Sequence, residues 1–269
     1  MEKYENEEYL KNKIMDQSRH QFIYGYDGLQ RKQFLENMAS CYPIVLDENS
    51  PMAIYVNEFG LPKISTANGE VDKNKVAIIS SEFLYFSIAS DILEKSKKTN
   101  EIALLNERIK SLIEILNKHS INKDCSPIAD FDDLIRVLIE SKEFYKKSYK
   151  EYIEKGIETT SIKNVTLPFM QFDMFIRKLK NALNNDSYFG IIIDRQSDIA
   201  LSSTEAINCL VGGRINKDIS IKVAVDPSKW DSYIDSDGQF IEESHDYDVV
   251  ELDNANSEYL RKLKKNILY

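Results

Sequence analysis

The stretch "FIYGYDGLQRKQFL" (residues 22–35) sets two glycines, Gly25 and Gly28, between an apolar lead-in and two adjacent cations, Arg31 and Lys32. That grouping could bind phosphate. A working phosphate loop follows GxxxxGK[ST] between a strand and a helix: glycines let backbone N–H groups close around the phosphates, the lysine neutralises their oxygens, and the hydroxyl ligates magnesium. Registered on Gly25, the pattern puts Gln30 at the second glycine, Arg31 at the lysine and Lys32 at the hydroxyl, with Gly28 as an extra glycine. Gln30 carries a Cβ where positive φ is wanted. Arg31 offers a planar fork in place of a point charge, and Lys32 cannot ligate a cation. The segment is therefore read as a vestigial nucleotide-binding loop of Gly25, Gly28, Arg31 and Lys32. Its N–H groups are expected to face a shallow basin beside Asp194, narrowed by Gln30, with nucleotide affinity of about 0.1 mM or weaker.

A loop of this kind needs a carboxylate on a neighbouring strand to hold magnesium. "YFGIIID" ends in Asp194, the candidate metal residue, but the next residue is Arg195, which cannot polarise water for in-line attack. A third strand should end in a polar residue that senses the γ-phosphate. "VAVDPSKW" puts Asp226 at that sensor-like position, with the wrong sign of charge. Three departures together point away from hydrolysis, and no catalytic residue is nominated.

"DSYIDSDGQFIEESHDYD" resembles a calcium loop only locally, because registering Gly238 at the sixth position puts Ser244 where the terminal glutamate belongs. It reads as a solvated acidic loop, within which His245 can pair with Asp246 or Asp248. His20 and His119 have no evident ligand partners. Trp230, beside Lys229, is expected to pack down on its own sheet rather than stack on a base. "RKLKK" (261–265) is a basic helix end that the helix dipole favours without any ligand.

These residues must be carried by alternating strands and helices. Residues 1–20 form a charged helix with Leu10 and Ile14 on one face. Strands are predicted at "QFIYG", "MAIYVNEF" (52–59), 188–194, 219–225 and 248–253. Helices follow near residues 31–42 and 76–95. Ser202 and Glu205 have capping-box spacing, so a helix is placed from about Ser203 to Gly212–Gly213. A last helix covers about 257–268. Between the two halves lies an all-helical block. Apolar residues recur from Ile102 to Leu116 on one predicted helix, and Phe131, Leu134, Leu138, Tyr145, Tyr149 and Tyr152 follow on a second, read as two helices packing on each other. Another helix is placed near 169–184. The fold class is α/β: a three-layer parallel sheet of about five strands with a helical insertion at about 97–160, all in one domain spanning 1–269.

The chain of 269 residues is 42% hydrophobic, enough for a large core, and its net charge is −9, which disfavours a polyanionic partner such as nucleic acid. The N-terminus is too polar for a signal peptide, and no apolar run approaches the ~20 residues of a membrane span. Cys41, Cys125 and Cys209 are far apart and read as reduced thiols, so the expected location is the cytoplasm.

Laid in order, "FIYGYDGLQRKQFLENMA", "YFGIIIDRQSDIALSSTEAINCLVGGR" and "ISIKVAVDPSKWDSYIDSDGQFIEESHDYDVVELD" resemble the AAA+ ATPases of the origin-recognition type. The likeness is to bacterial relatives found with mobile elements and defence systems, and it spans about half the chain. It implies a P-loop NTPase-like fold, with a nucleotide loop, a magnesium strand and a sensing strand. It also implies ATP or ADP with Mg²⁺ as the cofactor, here weak or none. The helical lid that such ATPases carry after the last core strand is not expected here. The functional expectation is a catalytically degenerate protein that works as a binding or regulatory partner in a larger complex, one member of which is an intact ATPase. Two alternatives stay open. One is a slow ATPase or nucleotide sensor with a non-standard loop. The other is a metal-dependent phosphodiesterase built on the acidic residues around Asp194 and the Asp231–Asp248 loop.

Overall fold

The computed structural model describes residues 7–15, 18–25, 28–56, 72–119, 127–155, 166–195, 201–213, 218–230, 232–235 and 237–252. The chain divides into two compact units, Met1–Pro43 with Pro51–Pro62 and Tyr188–Tyr269, and Ile44–Ser50 with Lys63–Ser187. The helical unit is thus wider than the block expected at 97–160.

The first unit is a sheet of five parallel strands: β1 (Gln21–Tyr24), β2 (Met52–Val56), β3 (Phe189–Asp194), β4 (Ile219–Val225) and β5 (Asp248–Glu251), in the order β2-β3-β4-β1-β5. Every residue of β1, β3 and β4 is buried, as their nearly unbroken apolar runs require of strands covered on both faces. Ile191, Ile192 and Ile193 are all at 0% exposure, which places β3 inside the sheet as expected. The edge strand β5 is mostly half-buried and carries Asp248 and Glu251, charges that discourage pairing with another chain.

Side chains alternate between the two faces. On one, Ile23, Ala53, Ile192, Ala224 and Val250 pack with Leu10, Ile14 and Met15 of α1 (Glu7–Met15) and with Phe34, Leu35, Met38 and Ala39 of α2 (Leu29–Ser40). Ala53, Gly190 and Ser220 form a row of small residues across β2, β3 and β4. A Cβ on Gly190 would come within 2.9 Å of Met15 Cε, so a larger residue there would make the Met15 side chain shift. On the other face Phe22 meets Tyr247, Trp230 and Tyr233 at ring separations of 4.6, 5.0 and 5.6 Å. α8 (Leu201–Gly212), the last α-helix of this unit among the described residues, is tied to the segment after β4 by Asn208 Nδ2, which donates to the Ser232 and Ile234 carbonyls. It begins before the Ser202–Glu205 spacing suggests and ends where the glycines stop it. The predicted helix at 257–268 lies outside the described residues.

The second unit holds α3 (Lys73–Thr99), α4 (Ile102–Arg108), α5 (Lys110–His119), α6 (Phe131–Lys155) and α7 (Phe169–Leu183). Two expectations fail here. The predicted continuous helix from Ile102 to Leu116 breaks at Ile109, whose backbone (φ −87°, ψ 2°) leaves the helical region while its side chain stays fully buried. The apolar period survives the break, so periodicity alone could not reveal it. The main partner of α6 is α3, not the preceding helix: Phe86 stacks on Tyr145 at 5.6 Å and Lys97 pairs with Asp132 at 2.7 Å, which makes the two antiparallel. Among the described residues they are the longest helices and nearly match in length, so pairing them buries much apolar surface.

Among the described residues α3 alone is long and apolar enough to cross a membrane. An 18-residue window of it has mean hydropathy 1.5 and is 72% buried, the profile of a core helix. Serines on its buried side return their hydroxyls to its own carbonyls, Ser87 to Phe83 and Ser96 to Ile92. Glu82 is the exception: a buried carboxylate that accepts the Leu167 N–H at 2.6 Å and whose pKa burial pushes up to about 7.

Candidate functional site

At the carboxyl ends of the strands, β4 separates β1 from β3, so the segment leaving β1 and the end of β3 flank the end of β4. Just past the end of β1 the Gly25 N–H donates to the Val225 carbonyl at 3.1 Å. A Cβ on Gly25 would stand 3.1 Å from Leu252 Cδ1, a tight fit against that side chain. Residues 26 and 27 lie outside the described set. Gly28 caps α2 with extended backbone, and its carbonyl accepts the Lys32 N–H at 3.2 Å. The strand–loop–helix context read from the sequence is present.

The side chains behave differently from the expectation. Arg31 turns inward from the first turn of α2 and is 1% exposed. Its Nη1 donates to the Gly25 carbonyl at 2.7 Å; its Nη2 reaches Asp194 Oδ1 at 2.6 Å and the Arg195 carbonyl at 3.1 Å. One planar fork thus ties the end of β1, the end of β3 and the start of α2, with its two terminal nitrogens serving acceptors in different directions. The other oxygen of Asp194 accepts the Tyr55 hydroxyl from β2 at 2.9 Å. Burial first, and then the charge of Asp194, hold the Tyr55 phenol protonated far above its ordinary range. Both carboxylate oxygens therefore have donors, and Tyr55 is a site residue that sequence reasoning missed. Its signal was a single hydroxyl in the apolar run "MAIYV".

Lys32 points away and meets Glu36 at 3.9 Å on the half-exposed face of α2. Gln30, expected to narrow the basin, is exposed. The filling is done by Arg31 itself. Asp226 stands at the end of β4 as placed, but its Oδ1 accepts both the N–H and the hydroxyl of Ser228, at 3.0 and 2.6 Å, closing a short 3₁₀ turn over Pro227–Lys229. Arg195, 3% exposed, lays its guanidinium 4.8 Å over the Trp230 ring. A guanidinium there has no lone pair with which to take a proton from water. Trp230 packs on its own sheet, as expected.

The acidic loop is internally bonded. Asp235 Oδ1 accepts the N–H groups of Asp237 and Gln239, both at 2.9 Å, and Gly238 takes the φ of +78° that the turn requires. His245 Nδ1 lies 3.3 Å from Asp246 Oδ1, the pairing anticipated, while Asp246 Oδ2 accepts the Glu242 N–H. Among the described residues no three His, Cys, Asp or Glu side chains come together as a metal site. His20 accepts the Ile221 N–H on Nδ1, and burial together with Lys222 pushes its pKa down to about 4. Comparison with protein-family models, with curated proteins and with solved structures finds no match.

Proposed function

We propose that the sheet unit is a P-loop NTPase-like scaffold whose nucleotide site is closed by its own side chains, and that the protein acts by binding, as a regulatory partner within a larger complex. The observation that carries this reading is the Arg31–Asp194 pair. The cation that would meet phosphate and the carboxylate that would meet magnesium are spent on each other, with Tyr55 on the remaining oxygen. Two further features support it: Arg195 follows Asp194 where a water-activating carboxylate would be needed, and Asp226 is committed to its own turn. The strand order supports the scaffold, since ligands of open parallel sheets bind beyond the carboxyl ends of the strands.

A second reading, a nucleotide sensor, is favoured by the exposed head of α2, where Gly28 has open space around it. One experiment separates the readings. The protein is titrated calorimetrically with ATP and Mg²⁺, and hydrolysis is followed against a heat-treated control. The closed-site reading expects no turnover and affinity no tighter than about 0.1 mM, or roughly 5.5 kcal/mol. Micromolar binding without turnover would favour the sensor. Turnover near 1 s⁻¹ that is lost in Asp194→Ala would overturn both.

A further inference from the structure

We propose that a cavity of the helical unit binds a small organic anion, a phosphate monoester on an apolar body. The cavity is an open cleft of about 450 Å³ lined by Arg108, Ser111, Lys178, Asn181, Ala182 and Asn184, a size within the range of small-molecule sites. A hollow of about 180 Å³ adjoins it, sharing Ser111 and Lys178 and adding Ile115 and Met174 as an apolar floor, with Glu114 and Lys118 at its side.

The cavity exists because two helices end beside it. The break at Ile109 separates α4 from α5 and leaves Arg108 at the end of α4. There Asp47 takes both guanidinium nitrogens at 3.0 Å. On the other side α7 stops at Asn184, which is left-handed (φ 52°) and donates to Asp47 Oδ1 at 2.8 Å. Asp47 itself sits at φ 59° with its N–H on the Leu183 carbonyl, so the wall is held from both backbone and side chain.

Arg108 is thereby neutralised, and Lys178 supplies the charge. Its ammonium, the Ser111 hydroxyl and the Asn181 amide carry no side-chain hydrogen bond or ion pair to another described residue. Ser111 also lies in the first turn of α5, where the helix dipole favours an anion. Ammonium, hydroxyl and amide N–H groups converging on one space match the three acceptor oxygens of a phosphate monoester. Ile115 and Met174 give its organic part a surface. The chain as a whole carries −9, yet the lining of the two hollows has three cations and one carboxylate.

The test is thermal unfolding of the whole chain, followed by circular dichroism, with butyl phosphate, inorganic phosphate, and sodium chloride at matched ionic strength. Butyl phosphate is expected to raise the melting temperature saturably, with a midpoint at least tenfold below that of inorganic phosphate. Lys178→Glu should abolish the shift and Lys178→Gln weaken it at least fivefold, while Lys147→Glu on the exposed side of α6 should leave it intact. A shift matched by sodium chloride, one that survives Lys178→Glu, or none with either phosphate would overturn the site. Equal midpoints for the two phosphates would overturn the apolar body.

Discussion

The Arg31 guanidinium and the Asp194 carboxylate stand 2.6 Å apart across 163 positions of sequence, with side-chain exposures of 0% and 8%. A buried pair of this kind is weak evidence for stability as a pair, because two desolvated charges are costly to bring together. Removing one partner is a different matter, since the other is then stranded. Arg31→Met and Asp194→Asn should each destabilise the sheet unit by about 3–5 kcal/mol in urea unfolding. The double variant Arg31→Met, Asp194→Asn should lose clearly less than the sum of the two singles. Strict additivity would show that the two residues do not act as a unit.

Asp226 gives a test with the opposite expectation for chemistry. If its role is to close the turn over Pro227–Lys229, Asp226→Ala should cost about 1 kcal/mol, as loss of a capping side chain does, and leave any nucleotide binding unchanged. A selective fall in ATP affinity without loss of stability would restore it to a sensing role.

Glu82 should make the helical unit sensitive to pH. Burial raises its folded pKa to about 7 from an ordinary 4.5, so the folded state holds a proton that the unfolded chain has released. The contribution of Glu82 to stability is then fully present below pH 4.5 and is lost as pH rises to about 7, by on the order of 3 kcal/mol. Glu82→Gln keeps an acceptor for the Leu167 N–H and should flatten that slope. Denaturant unfolding at several pH values between 4.5 and 7.5 reads the difference, and parallel slopes for the two proteins would rule out the assignment.

Lys222 acts in a higher window. Buried on β4 with its ammonium on the Arg19 carbonyl at 3.0 Å, it has a folded pKa that burial lowers to about 7 from 10.5. Here the unfolded chain binds the extra proton, so this group's contribution to stability rises with pH from about 7 to 10.5, by on the order of 5 kcal/mol. Lys222→Met should remove this rise and stabilise the protein near neutrality. A variant less stable than the parent at pH 7 would mean that the carbonyl contact outweighs the burial.

The sheet was legible because buried parallel strands leave a simple trace: "GIIID" and "ISIKVAV" are apolar on both faces, and only an interior strand tolerates that. Arg31 and Asp194 were legible as neighbours because a loop after β1 and the end of β3 meet at one end of the sheet. Their mutual engagement was not, since nothing in "LQRKQ" says which of two adjacent cations turns inward. That depends on helical phase: Arg31 falls on the side of α2 that carries Phe34 and Leu35, and Lys32 falls on the side of Glu36. The pairing of α6 with α3 was hidden for another reason. An apolar seam records that a helix has a partner, but not which helix fills it.

Trp230 is the single tryptophan of the chain, and it lies in the sheet unit, 1% exposed and under the Arg195 guanidinium. Its emission therefore reports on one of the two units and is blind to the other, whose helices carry only tyrosine and phenylalanine chromophores. Far-ultraviolet dichroism, in contrast, is dominated by the long helices of the second unit. The pair of signals turns an accident of composition into a gauge of cooperativity. Coincident midpoints would mean that the two units come apart as one, and separated midpoints would give each its own transition.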